Sequence, residues 1–61
     1  MKGFIKITQL NNQGSYVNVN NILMVCKTVE GCAITFVGNV VIKTKLDFDK
    51  AEELINNALS L

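Results

Sequence analysis

The chain has no histidine, tryptophan, proline or arginine. Without histidine it lacks the commonest general base and the commonest zinc ligand. Without arginine it lacks the side chain that makes the commonest specific base contact in nucleic-acid recognition. With no proline, the turn signals fall to Asn and Gly. Charge of either sign is scarce: six lysines against five acids leave a net charge of +1, and charged residues make up 18 % of the chain. No strong field therefore draws it to nucleic acid or to a membrane surface. The glycines, Gly3, Gly14, Gly31 and Gly38, are scattered. None of them builds a phosphate-cradling loop of the kind that opens a helix.

What is present is a globular composition. Apolar residues reach 49 % of the 61 positions, enough for a packed core. A chain this short buries only about 60 % of the surface exposed by its unfolded form. Residues 1–61 are expected to form a single domain whose stability gains from a partner chain. The opening, "MKGFIKITQLNN", carries Lys6 and Thr8 inside its short apolar run and has no small-residue cleavage site after it. It reads as neither a signal peptide nor a membrane span, and the expected setting is the cytoplasm, where thiols stay reduced.

Along the chain, apolar and β-branched alternation predicts five strands, at about 4–10, 16–20, 22–29, 32–37 and 40–46. Val19 and Ile22 are an odd number of residues apart, so Asn20-Asn21 must hold a bulge or a short turn. The period then changes. Phe48, Ala51, Leu54, Ile55, Ala58 and Leu61 recur at helical spacing and predict a helix over about 48–60. Asp49 with Glu52 fits a capping box, with Asp47 as the rival cap. The expected fold class is α+β: a small antiparallel five-stranded meander, curled towards a barrel, with one C-terminal helix.

The segment "CKTVEGC", Cys26 to Cys32, looks most like chemistry. Parity places Ile22, Met24 and Cys26 on one side of the third strand, and Cys32, Ile34 and Phe36 on one side of the fourth. Both sets are expected to face the core. A three-residue Val29-Glu30-Gly31 loop would then set Cys26 opposite Ile34 and Cys32 opposite Thr28. The two cysteines become diagonal neighbours with Cα atoms about 7–8 Å apart, beyond disulfide reach. Two thiols fall short of a zinc set, and a dimer could supply four only by opening core-facing positions. Lys27, the adjacent cation, is expected on the opposite face, so no catalytic thiol is indicated. The cysteines read as packing residues, and no cofactor, metal site or catalytic residue is expected.

The other side of that hairpin is expected to carry Leu23, Val25, Lys27 and Val29, joined by Val37 and by Val41, Lys43 and Lys45. Val40, Ile42 and Leu46 are expected to point inward, which requires a loop longer than Gly38-Asn39 or a bulge. Leu23, Val25, Val29, Val37 and Val41 form an apolar stripe, and such a stripe marks an interface. Self-association is the expected use, with a protein partner as a further occupant. The alternative is a nucleic-acid-binding regulator in which Lys6, Lys27, Lys43 and Lys45 meet phosphates and Tyr16 stacks on a base. Salt-dependent retention on RNA or heparin separates the two readings.

The segments "IKITQLNNQGSYVNVNNILMV", "AITFVGNVVIKTK" and "FDKAEELINNAL" together resemble the FlbD/SwrD-like family of small bacterial proteins. Ile5, Thr8, Leu10, Asn11, Asn20, Ile34, Gly38 and the Glu52-Glu53 helix carry the resemblance, and Ile42-Lys43-Thr44-Lys45 stands where that family often has V-K-E-S. The resemblance implies a role linked to flagellar motors and swarming, with no catalytic residue. The order of elements is also similar to the carbon storage regulator type of dimeric RNA-binding protein, without its basic, Arg-containing first strand.

Overall fold

The computed structural model describes residues 3–60, so Leu61 of the expected helical face lies outside them. Five strands and one helix follow in order: β1 (Phe4–Thr8), β2 (Gly14–Asn18), β3 (Ile22–Lys27), β4 (Cys32–Phe36), β5 (Val40–Thr44) and α1 (Phe48–Ser60). The strands do not form one meander. They divide into a two-stranded sheet, β1-β2, and a three-stranded sheet, β3-β4-β5, both antiparallel and not closed into a barrel.

The division follows from the chain's path after β2. That strand begins at Gly14 and ends at Asn18, two residues earlier at each end than the alternation suggests. Val19–Asn21 then coil into one 3-10 turn, capped by the Asn18 side chain, which accepts the Asn20 N–H at 2.9 Å. Val19 is buried within the turn. The turn absorbs the odd Val19–Ile22 spacing and starts β3 in a new sheet rather than beside β2.

Two features hold the sheets together. Gln9 forms an isolated antiparallel bridge with Thr44, and the Leu10 N–H donates to the Lys43 carbonyl at 3.0 Å. Below them the Thr44 hydroxyl, almost wholly buried, donates to the Thr8 carbonyl at 2.7 Å and accepts the Leu46 N–H at 3.2 Å. The core lies between the sheets and the helix: Ile5 and Ile7 from β1, Val19, Cys32, Ile34 and Phe36 from β4, and Ala51 and Ala58 from α1. Asp47 is the helix cap, its carboxylate accepting the Asp49 N–H at 3.2 Å. Asp49 sits inside the first turn, so the cap is the rival residue and not the start of a capping box.

The β3-β4 hairpin differs from expectation. Ile22 pairs with Phe36 and Met24 with Thr35, leaving Leu23 as a bulge. One extra residue reverses the parity of everything after it. Val25 therefore faces Ile34, Cys26 faces Ala33 and Lys27 faces Cys32. Cys26 and Met24 point away from the core, and Val25 points towards it. Lys27 shares the core side at the strand's exposed end. The loop closes where Thr28 and Gly31 exchange both backbone hydrogen bonds, leaving Val29-Glu30 at the tip. Gly31 is required there by contact rather than by turn type. A Cβ at that position would run into the Thr44 carbonyl oxygen and come within 2.6 Å of the Lys45 carbonyl carbon.

The β4-β5 connection is a longer loop, one of the two solutions that an inward Ile42 leaves open. Phe36 pairs with Val40, so Val37-Gly38-Asn39 span the turn, with Gly38 and Asn39 both at positive φ. Ile42 then pairs with Ile34 and packs on the core. Val40, expected inside, lies beside Phe36 at the sheet's end and is more than half exposed.

Candidate functional site

The reversed parity rebuilds the outer face of the three-stranded sheet. Two cross-strand rows cover it: Met24–Thr35–Val41 and Cys26–Ala33–Lys43. Met24 and Val41 are each 53 % exposed, and Cys26 is exposed beside them. Val37 extends the apolar surface at the end of the sheet where β4 turns into β5 and is exposed; Val40, the partner of Phe36, is exposed at the same end but on the core-facing side.

The five residues of the apolar stripe are therefore dispersed. Val41 lies within the outer face. Val37 borders it at the β4-β5 turn. Leu23, in the bulge, is exposed but lines a groove of about 300 Å³ between β3 and α1, together with Phe48, Ile55 and Leu59. Val29 stands fully exposed at the tip of the other hairpin, separated from the Val37 end by more than the whole length of β4, itself about 13 Å at 3.3 Å per residue. Val25 belongs to the core side and packs on the buried cluster. Met24 and Cys26 are the outer-face members that parity alone misplaces. Ile22 to Cys26 is an unbroken apolar run, and nothing in it marks where the extra residue falls.

The five residues of the nucleic-acid alternative divide as well. Lys6 and Tyr16 are cross-strand partners on the outer side of the β1-β2 sheet, and Tyr16 is 68 % exposed. Lys6 and Lys45 line one cleft where the end of β1 meets the end of β5. Lys43 lies on the outer face of the other sheet, opposite Ala33. Lys27 lies on that sheet's core side at the end of β3, next to the Val29-Glu30 tip. Three of the five thus gather and two do not.

Cysteine chemistry is divided between the two faces. Both cysteines are free, Cys26 exposed and Cys32 buried. They occupy neighbouring strands but opposite faces, so the diagonal arrangement expected from parity does not occur. Burial, and secondarily the negative charge of Asp47, pushes the Cys32 thiol up from its ordinary range. That makes it a poorer nucleophile, since the thiolate is the reactive form. Among the described residues no three His, Cys, Asp or Glu side chains converge on a metal position, and no helix is long and apolar enough to cross a membrane. No protein-family model, curated protein or solved structure matches the chain.

Proposed function

We propose that the chain is a non-enzymatic interaction module that self-associates through the outer face of its three-stranded sheet and presents the same face to a protein partner. The observation that carries this reading is the row Met24–Thr35–Val41, which crosses all three strands and whose apolar ends, on the two outer strands, are half exposed. Such a face costs solvation free energy as long as it stays open, and a chain of 61 residues has little other apolar burial to offset that cost. A standard interface takes about 800 Å² from each partner, about a fifth of the 4204 Å² that the chain exposes.

The face serves this role better than the free edge of β3. The Leu23 bulge and the terminal Lys27 both blunt that edge against strand addition. The two thiols lie on opposite faces and cannot pair within one chain, which suits a reducing compartment such as the cytoplasm. A motility-linked role rests on the resemblance to FlbD/SwrD-like proteins and is the finer part of the proposal.

The test is the mass of the purified chain across a concentration series, by light scattering or sedimentation. A dimer or larger closed assembly is expected. Val41→Lys should weaken association by roughly tenfold or more, since it places a charge in a desolvated face. Its own fold should change by no more than about 0.5 kcal/mol, because the position is exposed. A strict monomer at millimolar concentration removes the reading.

A further inference from the structure

The cleft between the end of β1 and the end of β5 has the chemistry of an anion site. Two lysines, Lys6 and Lys45, line it, with Thr8 and Asn12 among its polar residues and no carboxylate-bearing side chain among the lining residues. The carboxylate nearest in sequence, Asp47, is engaged with the helix it caps, accepting the Asp49 N–H. The single ion pair among the described residues is Lys50–Glu53 on α1, so neither cleft lysine is paired with an acid among the described residues.

The walls are fixed. Thr44 ties β5 to the Thr8 carbonyl, the Gln9–Thr44 bridge closes one end, and Gln9 is held in turn by the Ser15 hydroxyl at 2.9 Å from its amide nitrogen. The cleft measures about 350 Å³, the lower end of the range for small-ligand sites. A doubly charged oxyanion in a carboxylate-free cleft lined by two lysines can take charge-assisted hydrogen bonds from both.

We propose that this cleft binds the phosphate group of a phosphate monoester, with Lys6 and Lys45 as the charged ligands and Thr8 and Asn12 as neutral donors. Tyr16 indicates which monoester. It is the cross-strand partner of Lys6 on the same face and is mostly exposed. An aromatic base attached to a phosphate held at Lys6 would meet the Tyr16 ring and stack on it. The site shares no residue with the Met24–Val41 face, so a monomeric chain would leave it standing.

The experiment is an amide-resolved NMR titration of the full chain at constant ionic strength, with inorganic phosphate, ribose 5-phosphate and adenosine monophosphate in parallel. Saturable shifts are expected, centred on Thr8, Gln9, Asn12, Lys45 and Leu46. The double variant Lys6→Gln/Lys45→Gln should weaken binding by about tenfold or more. The double variant Lys27→Gln/Lys50→Gln, which removes the same charge elsewhere, should leave it unchanged. A nucleotide that binds more tightly than the sugar phosphate, with the advantage lost in Tyr16→Ala, assigns the ligand as a mononucleotide. Equal affinities assign a plain phosphate monoester. Shifts that fail to saturate, that spread over all the lysines, or that fall equally in both double variants overturn the site.

Discussion

Strands β3 and β4 lie side by side, and both are largely apolar, but they are used differently. β4 buries Cys32, Ile34 and Phe36 and half-buries the residues between them. β3 fully buries nothing. The difference is one of position and one extra residue. β4 has a partner on each side, so its pleat is held from both edges. β3 is an edge, and its Leu23 bulge turns the remainder over. A strand's apolar content therefore says that it packs. Which of its side chains pack is decided by its partner and by any residue that breaks the period.

The largest effect expected from this contrast is at the paired residues Ile34 and Val25. Ile34 is fully buried, and Ile34→Ala should cost about 2–5 kcal/mol. In a chain of this size that is enough to lower the melting temperature by tens of degrees or to abolish a cooperative transition. Val25→Ala, across the same row, should cost roughly 1 kcal/mol, because that side chain is half buried and leaves little cavity. Urea denaturation of the two variants checks the ratio. Equal losses would mean that β3 is as central as β4.

The other edge of the sheet sharpens the comparison. β5 is also outermost, but it is fastened to β1, and the fastening is Thr44. Thr44→Val keeps the shape and removes the hydroxyl. It leaves the Thr8 carbonyl and the Leu46 N–H without the partner they now share. A cost of about 1–3 kcal/mol is expected, with Thr44→Ser retaining most of the stability. Amide exchange should quicken first at Leu10 and Leu46, where the two sheets and the helix approach join. Unchanged exchange at those amides, with stability intact, would show that the sheets hold together without this bond.

How much of this was legible in the sequence depended on whether the deciding residue carried a local signal. The inward set of β4 could be read because its alternation is regular from Cys32 to Phe36. At the β4-β5 turn, the need to point Ile42 inward ruled out a tight two-residue turn without deciding between a longer loop and a bulge; Gly38 and Asn39 supply the positive φ angles of the loop that forms. The helix could be read from its change of period. The bulge at Leu23 could not, since any residue in an apolar run can be the extra one. Nor could the Val29-Glu30 tip, which lacks the Asn-Gly or Asp-Gly signature of a tight hairpin. Asn20-Asn21 announced a break after β2 without giving its direction, and that direction separates one meander from two sheets. The outer face inherited the error at Leu23: Met24 and Cys26 belong to it and Val25 does not. The Lys6–Lys45 cleft joins residues 39 positions apart through a single bridge at Gln9 and Thr44, a long-range contact that no periodicity encodes.

The smallest effect in the comparison is chemical, and it uses one cysteine from each strand. Cys26 on β3 should react with a small thiol reagent in the native state, whereas Cys32 on β4 should wait for the chain to open, so that its rate tracks unfolding. The pH dependence follows from the raised Cys32 thiol. Burial, then Asp47, disfavours its thiolate in the folded chain, so the folded state holds that proton to higher pH than the unfolded state does. Below the ordinary thiol range, near about pH 8.5, both states are protonated and the stability is fully present. Above it the unfolded chain releases the proton first, and stability declines as pH rises towards the folded value. Urea midpoints between pH 7 and pH 10 should fall in the wild type and in Cys26→Ser, and the part of the decline due to the thiol should vanish in Cys32→Ala, whose baseline is lower because of the cavity. A native chain in which both thiols label at the same fast rate would place Cys32 at the surface and make the two strands equivalent after all.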